Sequence, residues 1–154
     1  MNEFGKRARE DDPPSVQLRR ARERALVVDD EPAITRWLER LLRGIGWDVK
    51  VAHSLAEARL RFRENREWPT TVVLDMLLPD GQGSEIYPEL KAARPDLRIL
   101  VCSGYVEPAD VAPLLRDGHR FLQKPFRRAD LLQALLRLHR SRRQEVTGGE
   151  TSAG

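Results

Sequence analysis

Cysteine is almost missing from this chain: Cys102 is the only one in 154 residues. A disulfide framework is thereby excluded, and a lone thiol suits a reducing compartment. Long apolar runs are missing as well, since none approaches the roughly 18 residues that a membrane span requires. The N-terminus mixes charges and has no apolar centre of the kind a secretion signal needs. The expectation is a soluble cytoplasmic protein that does not enter a membrane. One sign of charge does not dominate either, because 27 basic and 24 acidic residues leave a net charge of +3. The excess is spread along the chain: +2 over residues 1–24, +1 over 25–140 and zero over 141–154. Only "RRARER" at 19–24 is densely basic, which falls short of the basic face and recognition module that nucleic-acid binding needs. No nucleic-acid partner is expected.

What is present is an alternation of two periods. Residues 1–23 are charged, contain Pro13-Pro14 and offer little to bury, so a disordered leader is expected there. A polar tail over 141–154 is expected to be disordered too, leaving 24–140 as one folded domain. Within it, "ALVV" at 25–28 reads as a strand buried on both faces. Ile34, Trp37, Leu38, Leu41, Leu42 and Ile45 then form one stripe of a helix opened by Pro32 and closed near Gly44. "DVKVA" at 48–52 reads as a half-polar edge strand, and Ser54 with Glu57 as a capping box for a helix to about Arg63. "TTVVLD", a helix begun by Ile86 and Leu90, "LRILVCS", a weak helix interrupted by Pro113, "RFLQK" and a final helix from Ala129 to about Arg140 follow. Pro88 is read as interrupting the third helix in the same way.

Five strands alternating with helices imply right-handed crossovers and an α/β fold: a doubly wound, five-stranded parallel sheet of flavodoxin-like order 2-1-3-4-5, helices on both faces. Ligands of such sheets sit beyond the carboxyl ends of the strands. There this sequence places Asp29 and Asp30 (first strand), Asp75 (third), Ser103 (fourth) and Lys124 (fifth). Three convergent carboxylates repel one another and call for a cation. Hard anionic oxygens suit Mg²⁺. A carboxylate nucleophile beside a metal and an ammonium points to phosphoryl transfer through an acyl phosphate.

These residues resemble the receiver domain of two-component response regulators, over about residues 24–140. "VVDDEP", "VVLDMLLPDGQG", "ILVCSG" and "FLQKPF" occur in that order, with Asp75, Ser103 and Lys124 following Asp30 at the family's ordinary spacings. The resemblance implies that Asp75 is the phosphoacceptor, that Asp29, Asp30, Asp75 and the Leu77 backbone carbonyl bind Mg²⁺, and that Ser103 and Lys124 receive the phosphoryl oxygens. It also implies a cis Lys124–Pro125 bond and a switch made of Ser103 and Phe121, the aromatic that moves inward on activation. The phosphoryl donor would be a histidine kinase or a histidine phosphotransfer protein. Such a protein is not an enzyme toward other molecules and promotes only its own phosphorylation and dephosphorylation. No effector domain follows residue 140, so output through an unidentified protein target is expected, the protein being a monomer or a weak dimer through its helix 4–strand 5–helix 5 face. A phosphate shuttle or sink, or the receiver fragment of a hybrid histidine kinase, are the alternatives. A Mg²⁺-dependent aspartyl-phosphate phosphatase is disfavoured because the common type needs an acid where Leu77 stands.

Other residues have plainer readings. Cys102 is expected in the core and Trp37 on the core stripe; the three histidines lack metal-ligand spacing. Leucines 131, 135 and 138 and leucines 132 and 136 with His139 make two stripes on the final helix, one for the sheet and a second that is either extra packing or a docking surface. Leu77 and Tyr105, apolar and aromatic beside the site, should hinder an attacking water and lengthen the life of a phosphoryl group.

Overall fold

The computed structural model describes residues 9–148, with side chains described as far as Ser141. Its elements are α1 (Pro14–Ala21), β1 (Arg24–Val28), α2 (Pro32–Gly44), β2 (Asp48–Ala52), α3 (Leu55–Glu64) and β3 (Thr71–Leu74). A small hairpin of β4 (Leu77–Leu78) and β5 (Gly81–Gln82) leads through one 3₁₀ turn to α4 (Tyr87–Ala93). Then come β6 (Arg98–Ser103), α5 (Pro108–Arg116), β7 (Arg120–Gln123) and α6 (Arg128–Gly148). The main sheet has the order β2-β1-β3-β6-β7, and every pairing in it is parallel. Leaving out the hairpin strands, this is the 2-1-3-4-5 order expected from the alternation. The half-polar β2 is indeed at an edge.

Residue parity along the strands decides which helix covers which face. Ala25, Val27, Val73 and Leu100 point to the face covered by α2 and α6, where Leu38, Leu42, Leu131 and Leu135 meet them. Leu26, Val28, Val72 and Ile99 point the other way, onto Leu55 and Phe62 of α3, Leu90 of α4 and Leu114 of α5. A sheet covered on both sides needs continuous apolar strands. β1 and β3 are such strands.

The leader departs from expectation. Residues 14–21 form α1, opened by Pro14 at its first position and ended at Arg22 in the left-handed region (φ 50°). Leu18 is 0 % exposed and belongs to the same core cluster as the α6 leucines. The Trp47 indole donates to the Leu18 carbonyl at 2.8 Å, and the Arg140 guanidinium donates to the Gln17 side chain at 2.9 Å. One leucine therefore docks a segment whose own composition would leave it unfolded. Residues 1–8 and 149–154 lie outside the described residues. The final helix is also longer than its apolar stripes, running to Gly148 rather than to about Arg140, so residues 141–148 are helical where a polar tail was expected. Both of its stripes are buried: Leu131, Leu135 and Leu138 as well as Leu132 and Leu136. Leu18 of α1 joins them in one cluster, which favours packing as the use of the second stripe.

Three smaller expectations are corrected. Trp37 is 39 % exposed and leans on the Phe126 ring (centroids 5.8 Å apart), because it lies one step round α2 from the buried Leu38, Leu41 and Leu42. Pro88 stands in the first turn of α4, where its missing N–H has no intrahelical partner to lose, so it begins the helix instead of interrupting it. Pro113 does lie inside α5. The Ser54 hydroxyl accepts from the Glu57 amide at 3.1 Å, but the Glu57 carboxylate takes the His53 amide, so only half of the capping box forms.

Candidate functional site

Each site residue is placed by the strand before it. The Asp29 amide bonds to the Ala52 carbonyl and the Asp75 amide to the Val28 carbonyl, so both aspartates leave the sheet side by side at its carboxyl edge. The Lys124 amide bonds to the Ser103 carbonyl at 2.9 Å and brings the fifth strand end alongside the fourth. The peptide between Lys124 and Pro125 is cis.

The side chains then meet across 95 residues of sequence. Lys124 Nζ donates to Asp29 Oδ2 at 2.6 Å and to Asp75 Oδ2 at 3.3 Å. Asp29 and Asp75 are buried, whereas Asp30 is exposed at the rim. One carboxylate oxygen from each of Asp29, Asp30 and Asp75 lies within 4.8 Å of the other two, the sole such grouping of potential ligands among the described residues. Hard, anionic oxygens at this spacing fit a divalent cation such as Mg²⁺. Backbone amides orient the carboxylates further: Glu31 N–H donates to Asp29 Oδ1 at 2.9 Å, and Leu77 N–H to Asp75 Oδ1 at 3.2 Å.

Burial acts most strongly on the Asp75 carboxyl and holds it above its usual range, although the Lys124 charge pulls the other way. For Lys124 burial again has the largest single effect and disfavours the charge. Its bonds to Asp29 and the two nearby carboxylates together outweigh it, and the ammonium titrates above its ordinary value. Charge is thus concentrated on side chains that are largely buried. A group that altered the charge on Asp75 would redistribute Lys124.

The remaining candidates lie close by but are otherwise engaged. Ser103 is fully buried and its hydroxyl donates to the Tyr105 carbonyl at 3.4 Å, not to a carboxylate. Phe121 on β7 is half-buried and packs with Val106 against the α3–α4–α5 face. Leu77 and Tyr105 are 61 % and 68 % exposed, and the Tyr105 hydroxyl donates to Glu107. Cys102, one residue before Ser103, behaves as a core residue whose thiol is pushed up to about 12 by burial.

Two residues of the "LPDGQG" loop matter in ways that sequence reasoning missed. Asp80 caps α3 with both oxygens, accepting from the Leu55 and Ala56 amides at 2.8 and 2.9 Å. That contact anchors the hairpin after Asp75. Gly83 lies against the backbone of Asp75, so that a Cβ there would come within 2.2 Å of the Asp75 carbonyl oxygen. Neither contact has a local signal, since Asp-Gly is equally the mark of a plain turn.

The family model described as response regulator receiver domain matches residues 25–136. The chain belongs to that family. Among its relatives, the probable transcriptional regulatory protein TcrX of Mycobacterium tuberculosis is 34% identical over 116 residues, covering 73% of this chain and 49% of TcrX. The chain spans about half the length of the curated relatives it matches. A solved CheY-like receiver domain from Methanospirillum hungatei superposes with a TM-score of 0.70 at 27% identity, over 80% of this chain and 98% of that one. A response regulator from Burkholderia pseudomallei, solved with a phosphorylated aspartic acid, a calcium ion and citrate, is 28% identical with a TM-score of 0.65, over 84% of this chain and 73% of its own. No described helix of this receiver domain is long and apolar enough to cross a membrane.

Proposed function

We infer that this receiver domain is a phosphorylation switch that takes a phosphoryl group from a histidine kinase or a histidine phosphotransfer protein onto Asp75. The observation that carries this reading is the meeting of Asp29, Asp30 and Asp75 within 4.8 Å, with Lys124 bonded to two of them. The phosphorylated aspartic acid and bound calcium of the Burkholderia pseudomallei relative lend support. The three carboxylates and the Leu77 carbonyl would hold Mg²⁺, which when bound supplies positive charge beside the transferring group. A carboxylate oxygen of Asp75 forms the new bond to phosphorus as the phosphohistidine N–P bond breaks. The electron pair stays on the imidazole nitrogen, which takes up a proton.

The product carries roughly −1.5 to −2 charges. Lys124, shared between Asp29 and Asp75 beforehand, then turns to a phosphoryl oxygen. Ser103 gives up the Tyr105 carbonyl and donates to another. The Ser103–Tyr105 loop shifts with it, and Phe121 occupies the space released, which alters the face formed by α5, β7 and α6. Output is contact with a protein target, by a monomer or a weak dimer through that face, in the cytoplasm and without nucleic acid or membrane binding by this domain. A phosphate shuttle or sink would use the same chemistry. The domain promotes its own phosphorylation and dephosphorylation and turns over no other substrate.

The test is intact-protein mass after incubation with acetyl phosphate, with and without Mg²⁺, beside an Asp75→Asn control. One Mg²⁺-dependent phosphoryl adduct, absent from the control, is expected. An adduct that persists in Asp75→Asn, or none in folded protein with either acetyl phosphate or a phosphorylated histidine phosphotransfer domain, overturns the assignment.

A further inference from the structure

A second concave site lies on the opposite side of the sheet from α2 and α6, at the strand ends remote from Asp75. It is a cleft of about 370 Å³ between α4 and the end of α5. That volume falls in the range of small-molecule sites. Leu97 and Ile99, both buried, form an apolar floor. The Tyr87 and His119 rings meet edge to face beside it, with centroids 5.4 Å apart. His119 Nδ1 accepts the Ile99 amide at 3.1 Å, which fixes the ring and puts the proton of the neutral imidazole on Nε2.

Two of the three cations around this floor are already paired, Lys91 with Asp117 and Arg94 with Asp96. Lys91, Arg94 and Arg116 line the cleft and Asp117 is its one acid. Arg94 is buried and committed to Asp96 and the Arg66 carbonyl. Arg116 is exposed at the mouth and makes no ion pair among the described residues. Asp117 shows what the cleft can hold, since its carboxylate accepts from both the Tyr87 hydroxyl and Lys91 Nζ, the latter at 2.8 Å. Asp117, at the end of α5, thus already binds Tyr87 and Lys91 of α4, and its neighbour Arg116 adds a guanidinium to the lining.

We propose that this cleft binds a small organic anion with a flat apolar body, its phosphate or carboxylate group held by Arg116 and Lys91 and its body lying on Leu97, Ile99 and the Tyr87–His119 pair. The inference does not depend on phosphorylation of Asp75.

Phenylphosphonate and benzoate, neither of which can donate a phosphoryl group, are the probes, with inorganic phosphate as the body-less comparison. Each is titrated without Mg²⁺ into the ¹⁵N-labelled full chain carrying Asp75→Asn. Saturable shifts at the Leu97, Ile99 and His119 amides are expected with at least one aryl probe and at lower concentration than with inorganic phosphate; the better probe identifies the head group. Arg116→Glu should weaken that binding about tenfold or more, the worth of a charge-assisted hydrogen bond. Arg63→Glu, at an exposed arginine on α3 outside the cleft, should leave it unchanged. Shifts that rise without saturating, that centre on Lys124, or that Arg63→Glu reduces equally, overturn the proposal. So does a flat titration, the result if Arg116 serves only the carbonyl end of α5.

Discussion

Leu18→Ala should destabilise the domain by about 2–3 kcal/mol, although it lies outside the five-stranded unit. Leu18 is the one fully buried side chain of α1 and sits in the cluster that joins α2, α6 and the sheet. Removing its three outer carbons forfeits about 2 kcal/mol of transfer free energy, at ~0.8 kcal/mol per methylene. The void adds to this. A one-sided helical cover can settle toward α6, however, which keeps the total in the lower half of the roughly 2–5 kcal/mol span for buried leucines. For a domain of this size the loss lowers Tm by roughly 5–10 °C. Urea unfolding followed by tryptophan fluorescence measures it, because the buried Trp47 indole bonds to the Leu18 carbonyl and reports undocking directly. Trypsin gives a second reading: cleavage after Arg19, Arg20 and Arg22 should be slow in the parent and fast in the variant. A stability change below about 0.5 kcal/mol, with those sites cut equally fast in both proteins, would mean that α1 is not docked and that the leader is the loose segment its composition suggests.

Glu23, buried between Arg98 (2.6 Å) and His139 (3.3 Å), gives a pH signature. Burial is the largest influence on its carboxyl and would raise it, but the neighbouring His139 and Thr70 side chains and the Arg98 charge together hold it below the usual range. A depressed carboxyl stabilises the fold above its unfolded value and loses that contribution as pH falls through the folded value. The urea midpoint should therefore fall more steeply below about pH 4.5 in the parent than in Glu23→Gln, and parallel profiles would refute the assignment. Gly83→Ala should destabilise by about 3 kcal/mol or more and abolish the phosphoryl adduct, since its Cβ would overlap the Asp75 carbonyl oxygen. Gly104→Ala, with nothing within 4 Å, should be tolerated, and equal thermal stability of the two variants would contradict the packing. Lys124→Ala removes the cation bonded to two buried carboxylates. It should cost about 3 kcal/mol without Mg²⁺ and show a larger Mg²⁺-induced rise in Tm than the parent, whereas an equal rise would count against a shared charge site. Phosphoryl Asp75 should outlast several minutes in isolated protein because of Leu77 and Tyr105, and decay within seconds, followed by intact mass, would refute that protection.

Where the sequence alone sufficed, the reason was local. β1 and β3 are short apolar runs and α2 carries a clean helical stripe, so periodicity specified these elements, and alternation pointed to a parallel doubly wound sheet, whose expected order the structure has. The acidic group was legible for the same reason: in a parallel sheet every strand end that matters lies on one edge, so Asp29, Asp75 and Lys124 had to converge once the order was known. Local pattern could not show which surfaces were left for a neighbour to cover. α1 has one deeply buried leucine and exists because the end of α2, Trp47 and the second stripe of α6 form a seat for it. Trp37 obeys the helical period yet faces Phe126 at the rim, since position around a helix says nothing of where the sheet ends. The meeting of Gly83 with the Asp75 backbone, the cap of Asp80 on α3 and the cleft at Arg116 are contacts between segments distant in sequence. Periodicity is a property of one segment, whereas a contact is a property of two. For that reason the elements and the carboxyl-edge chemistry belonged to the sequence, and the docked leader, the Gly83 constraint and the second cleft belonged to the tertiary structure.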